Sequence, residues 1–351
     1  MPRVNDQIRV IDGFCGAGGL SQGMLQAGLS VAAGFDIDPL CRYPFEENIG
    51  GVFMEADIES IKGTDLQKYW GKSKYRVLVG CAPCQPFSAH RRGADPTKDK
   101  RWPLLDEFKR LIAESLPDIV SMENVPRIET TEVFKRFVAE LEELEYFVDY
   151  RVCYAPDFGL PQRRRRMVLL ASRLGPITVP TGNQKNYKTV RQTIEKLPPL
   201  ISGQTDTKDP LHKARNLTDI NLRRIQASKP GGTWRDWPKD LRSACHQKDT
   251  GASFQSVYAR MCWDEPAPTI TTQAFNFGTG RFGHPEQDRS LTLREAAMLQ
   301  GFPRNYRFQR RDQPIYFTSL GRLIGNAVPP PLGKAIGKQI RRHITEIENP
   351  Q

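Results

Sequence analysis

Cysteines are few in this 351-residue chain, and long apolar runs are lacking. The 7 cysteines, at positions 15, 41, 81, 84, 153, 245 and 262, are an odd number without the density of a secreted disulfide framework. No stretch of about 18 apolar residues could span a membrane, and no apolar signal region precedes the first predicted strand. The sequence therefore predicts reduced thiols and a cytoplasmic protein with no membrane partner.

A complete zinc-ligand pattern is also lacking. Cys81 and Cys84 form a C-x-x-C pair, which occurs in half of a zinc site or in a redox motif. No second C-x-x-C or H-x-x-x-H follows to complete tetrahedral coordination. We therefore expect no metal, and redox work remains an alternative for this pair.

Positive charge is scarce in the first part of the chain and abundant in the second. Residues 1–150 carry 18 Lys and Arg against 24 Asp and Glu, whereas residues 151–351 carry 33 against 16. The formal net charge of +11 is thus the balance of −6 and +17. Such a bias can be a solvated surface, but an excess of this size favours nucleic acid as a partner.

Short apolar runs alternate with segments of helical period over residues 1–170. The runs predicted as buried strands are Ile8–Ile11, Val31–Ile37, Val77–Val79, Ile119–Met122, Phe147–Val152 and Met167–Ala171. Apolar residues recur three or four positions apart in segments 104–116 and 131–144, as in amphipathic helices. This βαβ series predicts an α/β fold with an open, largely parallel sheet. From about residue 175 to 287, Pro, Gly, Thr, Lys and Trp without a sustained period predict a smaller, loop-rich domain.

A glycine-rich turn follows the first strand in Val10–Leu20 (VIDGFCGAGGL). Glycines allow close backbone approach to a ligand, and nicotinamide, flavin and S-adenosylmethionine enzymes all use such a turn; a plain tight turn is the alternative. Asp36 follows the second strand, where a carboxylate can bind ribose hydroxyls. Asp57 follows a predicted third strand, where it can reach an adenine amino group. Three strand ends at one edge predict a nucleoside cofactor.

The run Gly80–Ser88 (GCAPCQPFS) follows the strand that ends at Val79. A lone cysteine is usually a small buried apolar residue. Here the loop at the carboxyl edge of the sheet and the prolines on both sides place Cys84 in the cofactor crevice. The position therefore predicts that Cys84 is a nucleophile.

Two further polar segments border predicted strands. Glu123, in Asp118–Pro126, ends an apolar strand, where desolvation could hold it protonated to donate to a ring nitrogen; a helix cap or a surface Glu is the alternative. Gln162–Arg166 (QRRRR) leads into the strand at Met167. Alternation puts Arg164 and Arg166 on one face, and a solvated or phosphate-binding charge run is the alternative.

In this order the segments resemble the DNA (cytosine-5) methyltransferases of bacterial restriction–modification systems, over nearly the whole chain. The matching motifs are the glycine-rich turn, Pro83-Cys84-Gln85, Glu123-Asn124-Val125, Gln162–Arg166, Leu293–Pro303 as the ninth motif and Gly325–Pro330 as the tenth. The resemblance implies a Rossmann-like S-adenosylmethionine-dependent methyltransferase sheet, formed by residues 1–176 and 320–351. It also implies a second, smaller, loop-rich target-recognition domain at residues 177–319, which includes the ninth motif.

The resemblance implies a catalytic role for four residues. Cys84 would attack C6 of a cytosine flipped out of double-stranded DNA, so that C5 accepts the methyl group. Glu123 would bind N3 and supply a proton, and Arg166 would bind O2. Arg164 would brace the site. Cys81 is predicted to have only a structural role.

The resemblance also implies the cofactor contacts and the partners. The contacts with S-adenosylmethionine would be Phe14, Gly16, Ala17, Gly18, Asp36, Ile37, Asp57, Ile58, Pro83 and Asn326. The polar loop Ala89–Asp95 would close over the flipped base. The protein would act as a monomer, with a cognate restriction endonuclease as a candidate partner.

Three other functions compete with this prediction. A tRNA cytosine-C5 methyltransferase on the same scaffold would carry a Cys-Phe-Thr motif, which the segment 269–277 lacks. A catalytically inactive DNA-binding regulator would not need Cys84, Glu123 and Arg166 together. A nicotinamide dehydrogenase would explain the glycine turn but none of the later motifs.

Overall fold

The structure is a computed structural model that describes residues 5–83, 103–182, 186–248 and 257–350. The chain forms two compact units. The first comprises Met1–Phe158, Arg165–Asn183 and Ala327–Gln351, and the second Gly159–Arg164 and Gln184–Asn326. Two predicted features, the nucleophile Cys84 and the loop Ala89–Asp95, lie outside the described residues.

A seven-stranded sheet in the order β3-β2-β1-β4-β5-β7-β6 forms the centre of the first unit. Its strands are β1 (Asn5–Gly13), β2 (Leu29–Asp36), β3 (Val52–Glu55), β4 (Tyr75–Gly80), β5 (Ile119–Asn124), β6 (Phe147–Tyr154) and β7 (Arg165–Ser172). Neighbouring strands pair in parallel except at β7, which is antiparallel to both β5 and β6. The predicted α/β fold with a largely parallel sheet is confirmed.

Amphipathic helices cover this sheet. They are α1 (Gly19–Gln26), α2 (Arg42–Ile49), α3 (Gly63–Trp70), α4 (Pro103–Ser115), α5 (Glu132–Glu143) and α10 (Pro330–Glu348). In α5, Phe134, Phe137 and Leu141 recur at helical spacing and are buried, and the Thr131 hydroxyl accepts a hydrogen bond from the Phe134 amide at the first turn. Together with Phe108 of α4 they join the core under the sheet.

The C-terminal helix α10 packs against α1, the helix that follows the glycine turn. The two helices approach closely through glycines, since a Cβ atom on Gly23 would lie 2.5 Å from the carbonyl carbon of Gly333. Arg341 also donates a hydrogen bond of 2.7 Å to the carbonyl of Ala27, at the end of α1. The last helix of the chain therefore supports the first helix.

The second unit contains short helices joined by irregular segments. Its α-helices are α6 (Val190–Ile194), α7 (Asp219–Gln226), α8 (Leu293–Leu299) and α9 (Phe317–Asn326). A small core of Ile225, Trp234, Trp237, Leu241 and Phe277 stabilises the part that the sequence predicts to be loop-rich. No helix in the described part of either unit is both long enough and apolar enough to cross a membrane.

Candidate active site

The ends of β1, β2 and β4 lie side by side at the carboxyl edge of the sheet. Gly13, the last residue of β1, pairs with Phe35 of β2 and with Gly80 of β4. Just beyond the strand ends, the Cys15 amide donates to the Phe35 carbonyl at 3.1 Å, and the Cys81 amide donates to the Gly13 carbonyl at 3.3 Å. The segments that leave these three strands therefore start from one edge, as the sequence predicts.

The glycine turn has an unusual backbone. Phe14, Gly16 and Gly18 have φ angles of 57°, 52° and 79°, in the left-handed region that favours glycine. A Cβ atom on Gly16 would meet no other atom within 4 Å, so this position faces open space. Ala17 and Gly18 are buried next to the start of α1. The turn therefore leaves room for a ligand at Gly16 itself.

Asp36 connects the turn to the end of β2. Its Oδ2 atom accepts a hydrogen bond of 3.0 Å from the Gly16 amide, and its Oδ1 atom accepts one of 2.9 Å from the Asp38 amide. The side chain of Ile37, between the two aspartates, is 66% exposed. An oriented carboxylate beside an exposed apolar surface fits a nucleoside, whose ribose hydroxyls donate hydrogen bonds and whose base is flat and apolar.

The third strand end presents a carboxylate in a different manner. Asp57 is exposed, and its side chain accepts a hydrogen bond from the Glu59 amide. Ile58 is buried in the core and leaves little side-chain surface for a ligand. Pro83, which is exposed, is the last described residue before Cys84. The exposed carboxylate of Asp57 therefore fits a contact with the predicted cofactor better than the side chain of Ile58 does.

Glu123 lies at the end of β5, a strand in which every residue is buried, and is itself 2% exposed. Its Oε1 atom is 3.0 Å from Nε of Arg166, which enters from β7. Its Oε2 atom is 3.0 Å from the Cys81 thiol, which donates to it. The structure thus brings together Glu123 and Arg166, two of the predicted catalytic residues, and the Cys81 thiol contacts the same carboxylate.

The arginine run alternates between exposed and buried positions, as the sequence predicts. Arg163 and Arg165 are exposed, Arg164 is buried and Arg166 is partly buried. Within the second unit, Arg164 donates hydrogen bonds to the carbonyls of Ile270 at 3.3 Å and of Gly325 at 3.5 Å. Its bracing role stays a prediction.

Two asparagines, Asn124 and Asn326, lie in motifs that the sequence analysis identified, and each is the last residue of its strand or helix. Asn124, the last residue of β5, is buried and donates a hydrogen bond of 3.1 Å to the carbonyl of Ala82. It ties the exit of β4 to the residue after Glu123. Asn326, predicted to contact the cofactor, is the exposed last residue of α9 in the second unit. Its cofactor contact also stays a prediction.

Asp12 is a polar residue to which the sequence assigned no role. It is 1% exposed, and its Oδ2 atom accepts a hydrogen bond of 2.6 Å from the Ser21 hydroxyl. Burial raises the pKa of Asp12 to about 7, although the hydrogen bonds from Ser21 oppose the shift. The signal in the sequence was an acidic residue inside an apolar strand, directly before the glycine turn.

Carboxylate and thiol side chains, which can bind metal ions, lie along this edge of the described part of the sheet. In the described part of the chain, no group of three or more His, Cys, Asp or Glu side chains is arranged to bind a metal ion. Burial raises the pKa of the Cys15 thiol, next to the turn, well above its ordinary value, so it stays neutral.

Comparison with known proteins identifies what this chain resembles. The Type II methylase M.HgiDII of Herpetosiphon aurantiacus is 48% identical over 347 residues, which cover 97% of each chain. The Type II methyltransferase M1.HphI of Haemophilus parahaemolyticus is 31% identical, over 94% of this chain and 86% of that protein.

The fold is also present among solved structures. A candidate DNA modification methyltransferase from an E. coli prophage matches with a TM-score of 0.75 at 22% identity, over 97% of this chain and 100% of that one. The Dnmt2 methyltransferase of S. pombe matches with a TM-score of 0.60 at 17% identity, over 97% and 99%. The family model of the C-5 cytosine-specific DNA methylases matches residues 8–342. Because that match spans nearly the whole chain, this protein belongs to the C-5 cytosine-specific DNA methylases.

Proposed function

We propose that this DNA (cytosine-5) methyltransferase acts on one specific cytosine, flipped out of double-stranded DNA, through a covalent adduct of Cys84 with C6. One observation carries the proposal: the buried Glu123 carboxylate, paired with Arg166, lies on the strand next to the one that leads to Cys84. The enzyme depends on S-adenosylmethionine, as its family does. Its likeness to Type II methylases supports a role in restriction–modification.

The first chemical step is attack of the Cys84 thiolate on C6 of the cytosine. The new S–C6 bond moves electron density to C5, which can then accept the methyl group that S-adenosylmethionine supplies when bound. Loss of the C5 proton to solvent, β-elimination of the thiolate and return of the N3 proton to Glu123 restore the aromatic ring and free the enzyme.

Glu123 and Arg166 assist this attack. Glu123 binds N3 and supplies the proton that neutralises the ring as the thiolate adds. Arg166 donates to O2, where negative charge accumulates. Since both side chains belong to neighbouring strands of one sheet, their relative positions are fixed before the base enters.

The chain's own residues bind and orient S-adenosylmethionine. Gly16 offers open space beside the turn, and Asp36 is already oriented by two amides to bind ribose hydroxyls. Ile37 offers an apolar surface for adenine, and Asp57 a carboxylate for its amino group. Phe14, Ala17, Gly18, Ile58, Pro83 and Asn326 complete the proposed contacts.

Residues 177–319, most of which lie in the second unit, are the proposed target-recognition domain. The part of the chain after residue 150 holds the whole positive excess, which suits the phosphates of duplex DNA. Arg, Lys, Gln and Asn between residues 177 and 290 supply donors and acceptors for base edges. We propose further that the enzyme acts as a monomer in the cytoplasm, where host DNA is accessible, and shares its site with a cognate endonuclease.

Methyl transfer to duplex DNA tests the proposal directly. The full-length protein is incubated with labelled S-adenosylmethionine and mixed duplex DNA, and bisulfite sequencing then maps the methylated cytosines. We expect 5-methylcytosine within one short sequence. Duplexes with 5-fluorocytosine at that position should form a complex stable in SDS, because fluorine replaces the C5 proton whose loss frees Cys84.

Two variants give the controls. Cys84→Ala should abolish transfer and trapping but leave DNA binding measurable, because phosphate contacts supply most of the affinity. Cys41→Ala removes a buried thiol of the first unit and should leave both intact. Label on tRNA but not on DNA would contradict the proposed substrate, and retained turnover in Cys84→Ala would contradict the nucleophile.

A further inference from the structure

The Cys81 thiol is in direct contact with the carboxylate to which the proposed function gives a proton-transfer role. Its Sγ atom lies 3.0 Å from Oε2 of Glu123, a side chain that is almost wholly shielded from water. A buried carboxylate oxygen needs a donor from the protein, since water is excluded. We propose that Cys81 is a positioning residue, which holds the Glu123 carboxylate in the orientation for catalysis; this rests on the proposed function of Glu123.

The position of Cys81 is set by the backbone around it. Its amide donates to the Gly13 carbonyl, which extends the pairing of β1 and β4 by one residue. The carbonyl of the next residue, Ala82, accepts from the Asn124 side chain at 3.1 Å. The exit of β4 is therefore fixed to β1 on one side and to β5 on the other. This leaves the thiol little freedom to move away from Glu123.

The two carboxylate oxygens have different neighbours. Arg166 is 3.0 Å from Oε1 and carries a fixed positive charge. The thiol at Oε2 is a weak, neutral donor, so it orients the plane of the carboxylate without adding a second cation.

Charged or titratable groups near Glu123 include Arg166 from β7, Cys81 after β4 and Cys153 from β6. Burial raises the pKa of Cys153 to about 11, so that thiol stays neutral in the working range of the enzyme. A change at Cys81 should therefore appear directly in the pH dependence of the step that Glu123 assists.

Single-turnover methylation by full-length Cys81→Ala and Cys81→Ser, measured across a range of pH, tests this role. We expect Cys81→Ala to lower the rate about tenfold, because the hydrogen bond that orients the Glu123 side chain is lost. The pH profile of the rate should also change, because the thiol contacts the carboxylate to which the proton-transfer role is given. Cys81→Ser keeps a donor and should recover most of the rate.

A double variant separates positioning from general damage. If Cys81 acts through Glu123, Cys81→Ala should have no further effect in a Glu123→Gln background. Cys41→Ala, the matched loss of a thiol elsewhere in the first unit, should change neither rate nor pH profile. S-adenosylmethionine affinity and melting temperature should stay near wild type in all of these variants.

Failure of the inference and failure of the proposed function give different results. A wild-type protein that does not methylate DNA contradicts the proposed function. If the wild type is active and Cys81→Ala leaves the rate and the pH profile unchanged, the role of Cys81 is overturned. The role is also overturned if Cys81→Ala lowers the rate by the same factor in the Glu123→Gln background as in the wild type. If Cys81→Ala does not fold, the isosteric pair Cys81→Thr and Cys81→Val provides the same test, and equal rates in that pair overturn the role.

Discussion

Both units of this methyltransferase bury acidic side chains, but the hydrogen-bond donors around these side chains differ between the two units. In the second unit, Glu295 is 1% exposed, accepts two hydrogen bonds from Arg289, at 2.7 and 2.8 Å, and accepts a third from the Thr292 amide. Burial alone would raise the pKa of Glu295, but the charge and hydrogen bonds of Arg289 outweigh it and lower that pKa to about 2. This carboxylate remains charged and holds the first turn of α8.

The first unit supplies fewer charged donors to its buried acids. Asp12 accepts hydrogen bonds from Ser21 but has no cation beside it among the groups that shift its pKa, which burial raises to about 7. Glu123 has one arginine and one thiol. Asp12 and Glu295 are equally buried, so the charged donor beside Glu295, and not depth of burial, gives the two acids opposite pKa shifts.

Glu123→Gln gives the largest effect that the comparison predicts. The amide keeps the shape of the side chain but can no longer supply a proton, so we expect methyl transfer to fall about 10²–10⁴-fold. Single-turnover kinetics measures the loss, with S-adenosylmethionine affinity as the control. The free energy of unfolding should change by at most about 2 kcal/mol. A variant that loses stability and keeps its activity would break the contrast between the two units.

Arg289→Met should act on stability instead. It leaves the Glu295 charge buried without its partner, which costs about 3–5 kcal/mol of unfolding free energy in chemical denaturation. The matched control is Arg223→Met, because the Arg223–Asp240 pair is 62% exposed on both sides and should contribute only about 0–1 kcal/mol. Equal effects of the two variants would show that the buried network does not hold α8.

Asp12→Asn tests the contrast between the two buried acids through the pH dependence of the free energy of unfolding. The folded pKa of Asp12, about 7, lies above the ordinary value of 3.8, so the folded state binds the extra proton between these pH values. The neutral Asp12 side chain therefore contributes its whole stabilisation of the wild-type fold below pH 3.8, and this contribution to the free energy of unfolding is lost as pH rises towards 7.

Asparagine cannot ionise, so Asp12→Asn should gain about 3 kcal/mol of unfolding free energy relative to wild type between pH 5 and pH 8. Urea denaturation at the two pH values measures the difference. Ser21→Ala is a useful companion, because it removes the hydroxyl that opposes the shift and should make the pH dependence of stability steeper. A pH-independent difference between Asp12→Asn and wild type would mean that Asp12 is already ionised in the folded protein.

Much of the first unit could be predicted from the sequence. Short apolar runs located the strands β1, β2 and β4–β7, and helical spacing located α4 and α5, because burial on one side of an element imposes a local period. The second unit was harder. Its α6 and α7 are short, and apart from Ile225 of α7 the residues of its small core lie outside the α-helices, without a period that the sequence could reveal.

The sequence by itself determined the family, the order of the motifs and the candidate residues at the strand ends, because these depend on residue type and spacing along the chain. Tertiary structure decided which of them meet. Glu123 meets the Cys81 thiol and the Arg166 guanidinium, 42 and 43 positions away, through the pairing of β4, β5 and β7. It also decided that Asp12 and Glu295, both buried acids, differ in charge, since the donors around a carboxylate come from neighbours that only the folded chain brings together.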